Sequence, residues 1–361
     1  MEKLIKYLES VPDKREKHKV LHKLNDIIVI VLFAKLANAD DWQEIHQFAV
    51  IHEELLREYI ELKNGIPSHD TIERNFAVIE PFYLEMLQRK FNEMLSSGEG
   101  LRLKKILAID GKTQCGNGNK NQKANHIVSA VLENGICLGQ KLVKEKSNEI
   151  TAIPELLDKI NVKGQIVTID AMGTQTEIVK KIRMKKADYV LGLKGNQSAL
   201  HDDVKLYFSD NDFIEKCSYY YTIEKARGAL EKREYWQTDD IKWLTGKDKW
   251  VGLKPIGMTK NTIYKDGKKT EEIRYFISSL SVNAQEFGRC IRGHWVVESF
   301  HWHLDVTFRE DANKTLEKRA AYNLNIINKI ALSVLKIFDL GMKPMSLKRK
   351  DTAFLLTLYV F

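Results

Sequence analysis

Short apolar runs separated by turn formers, then helix and strand in alternation, predict an α/β protein built on one mixed sheet. Three observations carry this. Lys105 to Asp110, His126 to Leu132 and Ile136 to Val143 are strand-like runs, the last two joined by the hairpin signal Asn134-Gly135. Gln165 to Asp170 and Asp188 to Leu193 are further apolar runs, each preceded by a helical pattern. The chain before residue 100 carries helical periodicity only.

That N-terminal stretch places apolar residues at three- and four-residue steps over Leu21 to Ala39 and Trp42 to Ile60. Gly65-Ile66-Pro67-Ser68 then ends in helix-start residues, and Asp70 and Glu73 suit a first turn. A short helix after a tight turn is either a recognition helix or a corner of a helical bundle. No base-reading side chain stands out there.

The middle section runs strand, strand, strand, helix, strand, helix, strand. Ser147 and Asn148 are candidate caps for a helix over Glu149 to Ile160, and Thr176 to Lys186 is the second helix. Gln165 to Asp170 is continuously apolar, as a central parallel strand should be. A three-stranded meander followed by parallel crossover units is the RNase H-like order. It sets the first and fourth strands side by side, so Asp110 and Asp170, each ending an apolar strand, should meet at one edge of the sheet.

Residues 205–280 interrupt this order with short β-like runs, Tyr219 to Ile223, Glu231 to Trp236, Trp250 to Met258 and Glu272 to Leu280, and the turn Lys265-Asp266-Gly267-Lys268. They read as a β-rich insertion. Helix returns from Asn283 to about Val306 and again over Thr315 to Phe338. The tail is basic from Lys343 to Lys350, then apolar from Ala353 to Phe361. The expected division is a helical N-terminal unit over 1–100, an RNase H-like unit over 101–340 carrying the insertion, and a C-terminal tail over 341–361.

Lysine and arginine number 57 against 49 acidic residues in the 361-residue chain, an excess of 8 that suits a polyanionic partner. Cys115, Cys137, Cys217 and Cys290 contain no C-x-x-C pair and form no disulfide framework, which fits a reducing cytoplasm. The start is charged and lacks a signal-peptide core. The most apolar run, Ile27 to Ala34, falls short of the ~20 residues that span a bilayer, so no membrane role is expected.

Cleaving a phosphodiester needs a nucleophile made at neutral pH and a stabilised leaving oxygen, and two divalent ions about 3.5–4 Å apart supply both. Mg²⁺ prefers carboxylate oxygens. A site for it therefore draws about three acids together. Asp110 and Asp170 are two. The third comes from Gly293-His294-Trp295-Val296-Val297-Glu298-Ser299-Phe300-His301-Trp302-His303-Leu304-Asp305, where residues 294, 298, 301 and 305 share a helix face. Glu298 is the candidate and Asp305 its competitor. His294 and His301 stand seven apart, which excludes the H-E-x-x-H zinc pattern. Taken singly, Asp110 and Asp170 read equally well as turn formers, and Glu298 reads more readily as a solvated helix residue than as a site. Lys112 and Lys194 follow the first and fifth strands, where a lysine can touch phosphate.

Ile109-Asp110-Gly111-Lys112-Thr113 resembles the first-acid motif of the H-repeat-associated transposases, DDE-class enzymes of bacterial insertion sequences. Lys146 to Pro154, Val167 to Gly173, Leu193 to Gln197, Arg292 to Glu298 and Leu304 to Asp311 resemble the segments that follow in that family, in order. Gly65 to Thr71 resembles its associated helical region, so the resemblance covers nearly the whole chain. It implies an RNase H-like core, Mg²⁺ or Mn²⁺ (two ions), and cutting and joining of double-stranded DNA at element ends and in a target. By position it makes Asp110, Asp170 and Glu298 the metal-binding catalytic acids. Beside them, Lys112, Lys194, Arg292 and His294 are this reading's own candidates for steadying phosphates. Two departures stand out. Gln114-Cys115-Gly116 replaces the usual Leu-Arg-Gly, and Ile291, His294 and Asp305 stand where the wider group has Tyr, Arg and Lys. Joint cutting of two ends further implies a homodimer on DNA. The alternatives are an inactive DNA-binding descendant of a transposase, and a nuclease that hydrolyses without joining.

Overall fold

The structure is a computed structural model. It describes residues 7–8, 11–16, 18, 20–96, 105–143, 149–226, 228–337 and 344–358. The candidate caps Ser147 and Asn148 lie outside these residues.

The N-terminal part is helical: α1 (Leu24–Leu36), α2 (Trp42–Ile51), the short α3 (Glu53–Arg57), α4 (His69–Val78) and α5 (Pro81–Ser96). α1 is apolar around almost its whole circumference and is buried along its length, as such a helix must be. Asp41 caps α2 in a reciprocal box with Glu44, and Ser68 caps α4 by accepting from the Thr71 N–H. The helix read after Pro67 is therefore present. It packs as a bundle member, with Ile72 and Phe76 buried.

The sheet follows: β1 (Ile106–Thr113), β2 (His126–Leu132), β3 (Cys137–Val143), α6 (Glu149–Lys159), β4 (Ile166–Ile169), α7 (Thr176–Met184) and β5 (Asp188–Leu193). β1 pairs antiparallel with β2 and parallel with β4, and β4 parallel with β5. This is the RNase H-like mixed sheet. The helices α8 (Ser198–Tyr207) and α9 (Asn211–Ile214) then lead to β6 (Ser218–Ala226), β7 (Ala229–Thr238), β8 (Ile256–Lys265) and β9 (Lys268–Ser278). β9 pairs antiparallel with β5, so the inserted hairpins continue the main sheet in the order β3-β2-β1-β4-β5-β9-β8-β7-β6.

The helix expected from Asn283 to Val306 is divided into α10 (Ala284–His294), α11 (Val296–Trp302) and a π-helical turn over His303–Thr307. Gly293 lies so close to β1 that a Cβ there would sit 2.7 Å from Ile106 Cδ1. The chain thus bears on the strand through a glycine and turns just after it. α12 (Lys318–Ile337) is buried along nearly its full length and shares one apolar core with α1, α4, α5 and the inner faces of β1 and β2. α13 (Met345–Leu358) forms where the sequence reads only as a basic and then apolar tail. Among the described residues no helix is long and apolar enough to cross a membrane.

Candidate active site

The last parallel pair between β1 and β4 is Ile109 with Ile169, so Asp110 and Asp170 occupy the next positions on adjacent strands. Such strands run about 5 Å apart. Asp170 also caps the turn after β4, its Oδ1 accepting from the N–H of Met172 (3.1 Å) and of Gly173 (3.4 Å). The turn-former reading and the site reading are thus compatible, because a second carboxylate oxygen remains. α11 lies over this edge and brings Glu298. All three acids line one cavity of about 410 Å³, together with His294, Lys194 and Arg274.

The stripe of residues 294, 298, 301 and 305 stays on the β1 side despite the break at Trp295. His294 Nδ1 lies 3.0 Å from Thr168 Oγ1, and burial holds its imidazole below the usual range. It meets the cavity as a neutral ring. His301 Nδ1 lies 3.6 Å from Asp110 Oδ2. Burial, with Lys329, Lys112 and His126 nearby, pushes His301 down to about 3. It too is neutral and offers no counter-charge to Asp110. Burial, with Asp170, Glu149 and Glu298 around it, pushes Asp110 up to about 7.

Asp305 turns away from the cavity. Its carboxylate pairs with Lys112 Nζ at 2.5 Å, and Asp311 and Glu310 lie 3.4 and 3.7 Å from the same ammonium. Against the cost of burial, these acids hold Lys112 above the usual lysine range. Lys112 does not line the cavity. Lys194 does and is exposed. Arg292 lies outside it, stacked over Trp295 with its guanidinium 5.7 Å from the ring centre.

One pair escaped sequence reasoning. His126 on β2 and Glu149 at the start of α6 are both buried and hydrogen-bonded to each other through Nε2 and Oε1. Thr113 Oγ1 holds the other ring nitrogen of His126 at 2.8 Å. The pair lies directly against Gly111, where an added Cβ would collide with Glu149 Oε1 and His126 Nε2. The glycine beside Asp110 is therefore a packing requirement. Gly111→Ala is expected to lower stability by about 1–3 kcal/mol, the usual range for overpacking. An unchanged urea midpoint would show that the pair has room to move.

The description "Transposase DDE domain" matches residues 101–334, and "DDE_Tnp_1-associated" matches residues 5–92. The chain belongs to the DDE transposase family. Two Escherichia coli relatives, both named as putative transposases, resemble it over most of their length. YncI of strain O157:H7 is 40% identical over 93% of this chain and 88% of its own. The H repeat-associated YhhI of strain K12 is 36% identical over 95% and 93%. Among solved structures, the cryo-EM piggyBac transposase synaptic complex with hairpin DNA shows a TM-score of 0.48 at 11% identity. The match covers 98% of this chain and 76% of that one.

As a site for a metal ion, the donors fit a hard cation. Three carboxylates line a cavity open to solvent, and burial, with Asp170, Glu149 and Glu298 nearby, holds Asp110 up. Arg274, the guanidinium on its wall, is engaged by Glu272 at 2.8 Å. Among the described residues no three His, Cys, Asp or Glu side chains yet converge on one point. Glu298 is exposed at the cavity's rim.

Proposed function

We propose that this protein cuts DNA at the ends of a mobile element and joins them to target DNA, with Asp110, Asp170 and Glu298 holding two Mg²⁺ or Mn²⁺ ions. The observation that supports it most is the meeting of two strand-end aspartates and one helical glutamate in a single cavity. Divalent ions there lower the pKa of water and stabilise the leaving oxygen. The protein's part is placement. Adjacent strands fix the spacing of Asp110 and Asp170, and the backbone N–H groups of Met172 and Gly173 orient Asp170. Glu298 closes the site from α11.

Lys194, exposed at the cavity wall, and Arg292 beyond it are the cations we assign to phosphates. Neutral His294 donates or accepts a hydrogen bond there and adds no charge. Lys112, expected to touch phosphate, is engaged by three carboxylates. We give it the role of strut between β1 and the turn after α11. This leaves Glu298, with Asp305 committed to Lys112, as the third acid. Double-stranded DNA is the partner, and cutting two ends calls for two copies of the site.

The test uses DNA flanking the gene, 3′-labelled at the element end and incubated with Mg²⁺ or Mn²⁺ and a supercoiled plasmid. Label is expected to enter the plasmid, and Glu298→Gln to suppress the transfer. Label released without joining would make the protein a nuclease. Retarded but uncut DNA would make it an inactive binding protein.

A further inference from the structure

A furrow leads away from the acidic cavity beneath α10. Three adjoining cavities form it. The acidic one shares Glu272, Arg274, Ile291 and Trp295 with a neck of about 30 Å³, and the neck shares Tyr235 and Arg292 with an outer cavity of about 470 Å³. Its floor is one face of the inserted strands. There the register aligns two neighbouring rows of side chains across β9, β8, β7 and β6. One reads Arg274, Thr259, Tyr235, Tyr220, and the other Glu272, Asn261, Arg233, Thr222. Arg289 and Arg292 of α10 form the wall.

We propose that this furrow holds a single strand of DNA leading to or from the acidic cavity. The inference rests on the transposase reading above and adds to it the path of the substrate. Four observations favour a nucleic-acid strand. Cationic side chains lining the neck and outer cavity outnumber acidic ones five to three. The ion pairs that engage them include exposed ones, Arg292 with Glu224 at 3.9 Å and Arg274 with Glu272 at 2.8 Å, and exposed pairs are weak enough to yield to phosphate. Tyr220, half-buried on the floor, packs over buried Tyr235 with centroids 6.1 Å apart and offers a backed aromatic ring of the kind on which a base stacks. Asn261 Oδ1 and Arg233 Nε are buried in the floor and, among the described residues, have no hydrogen-bond partner. Buried polar atoms of this kind are costly unless a ligand satisfies them.

The floor is wide enough for one strand. Four strands at about 4.8 Å spacing make a floor about 14 Å across, room for about four nucleotides at about 3.4 Å each. The opposite face of β6 carries Tyr221, exposed and remote from the furrow, and provides an internal control.

The experiment measures binding of fluorescein-labelled oligothymidylate to the full-length protein by anisotropy in EDTA, and maps photocrosslinks from 4-thiothymidine in the wild-type protein. Arg292→Gln and Tyr220→Ala are each expected to weaken binding about ten-fold, in line with a lost phosphate contact or stacked base. Tyr221→Ala should bind as the parent does. Crosslinks should fall in β6, β7 or α10. Unchanged affinity in both furrow variants, or crosslinks confined to other elements, overturns the proposal even if a variant folds poorly, because the crosslinking uses the unaltered chain. Furrow crosslinks without metal-dependent cleavage would remove the enzyme reading and keep the furrow. Cleavage with crosslinks elsewhere would do the reverse.

Discussion

An Asp110→Asn protein is expected to lose metal-dependent DNA cleavage by roughly three orders of magnitude, because a metal-ligating charge supplies several kcal/mol of transition-state stabilisation. The same variant should fold more stably than its parent when metal is absent at high pH. Burial, with Asp170, Glu149 and Glu298 close by, pushes Asp110 up to about 7. In the unfolded chain an aspartate ionises near about 3.9. Between these values the native state keeps a proton that the unfolded chain releases. The contribution of this carboxyl is therefore fully present below about pH 4 and is lost as the pH rises to about 7. Neighbouring His301 is neutral across this window, so it does not oppose the trend. Asparagine carries no charge to bury. The gain at pH 8 should be about 2 kcal/mol, reduced from the full shift because the side chain keeps 30% of its exposure. Thermal unfolding at pH 5 and pH 8, in EDTA and in Mn²⁺, measures both effects. Mn²⁺ should stabilise the parent and leave the variant unmoved. A variant that melts below its parent at pH 8 in EDTA, or that still cleaves, contradicts the assignment of Asp110.

The strands of the core were legible because each is a continuous apolar run bounded by turn formers, and their order alone places Asp110 beside Asp170. The stripe from His294 to Asp305 was legible from helical spacing, and it survives the turn at Trp295. That turn is a tertiary effect, imposed where Gly293 meets Ile106. The continuation of the sheet into the insertion was hidden for a similar reason, since pairing of β9 with β5 is decided across more than eighty residues of chain. The expected strand from Trp250 begins only at Ile256. Trp250 is buried in the core without joining the ladder. α8 went unread because its apolar side is narrow: only Leu200, Val204 and Tyr207 are buried. Glu149 looks in sequence like an ordinary helix-start acid, and only the missing Cβ of Gly111 hints at the buried pair. The tail is legible in sequence only as basic and then apolar, and nothing in that pattern marks the one member of its basic run that is fully buried.

That residue, Arg349, carries the second large expected effect. Its side chain is 0% exposed. It donates to the carbonyl of Lys35 from Nε (3.0 Å) and Nη2 (2.9 Å), to Asp40 Oδ1 (2.8 Å), and to the carbonyl of Thr307. Its guanidinium lies 4.2 Å from the ring centre of Phe308. One side chain of α13 thus joins α1 and the loop after it to the π-turn that follows Glu298. Lys35, the other cation on Asp40, is itself buried and pushed down to about 8 by that burial. Arg349→Met keeps most of the volume and removes every donor. It should cost about 3–5 kcal/mol, because two carbonyls remain buried without their donor and Asp40 loses the nearer of its two cations. The expected fall in Tm is roughly 5 °C or more. Lys350→Met, one residue on and exposed, should change Tm little. Asp40 keeps Lys35 as a counter-charge after Arg349→Met, so adding Asp40→Leu should cost more still, because it leaves Lys35 buried without its carboxylate. The double-mutant cycle isolates the coupling of Arg349 with Asp40. Equal losses in the single and double variants would mean that Lys35 does not depend on Asp40. A Tm unchanged in Arg349→Met would mean that α13 does not hold the turn after Glu298 at all.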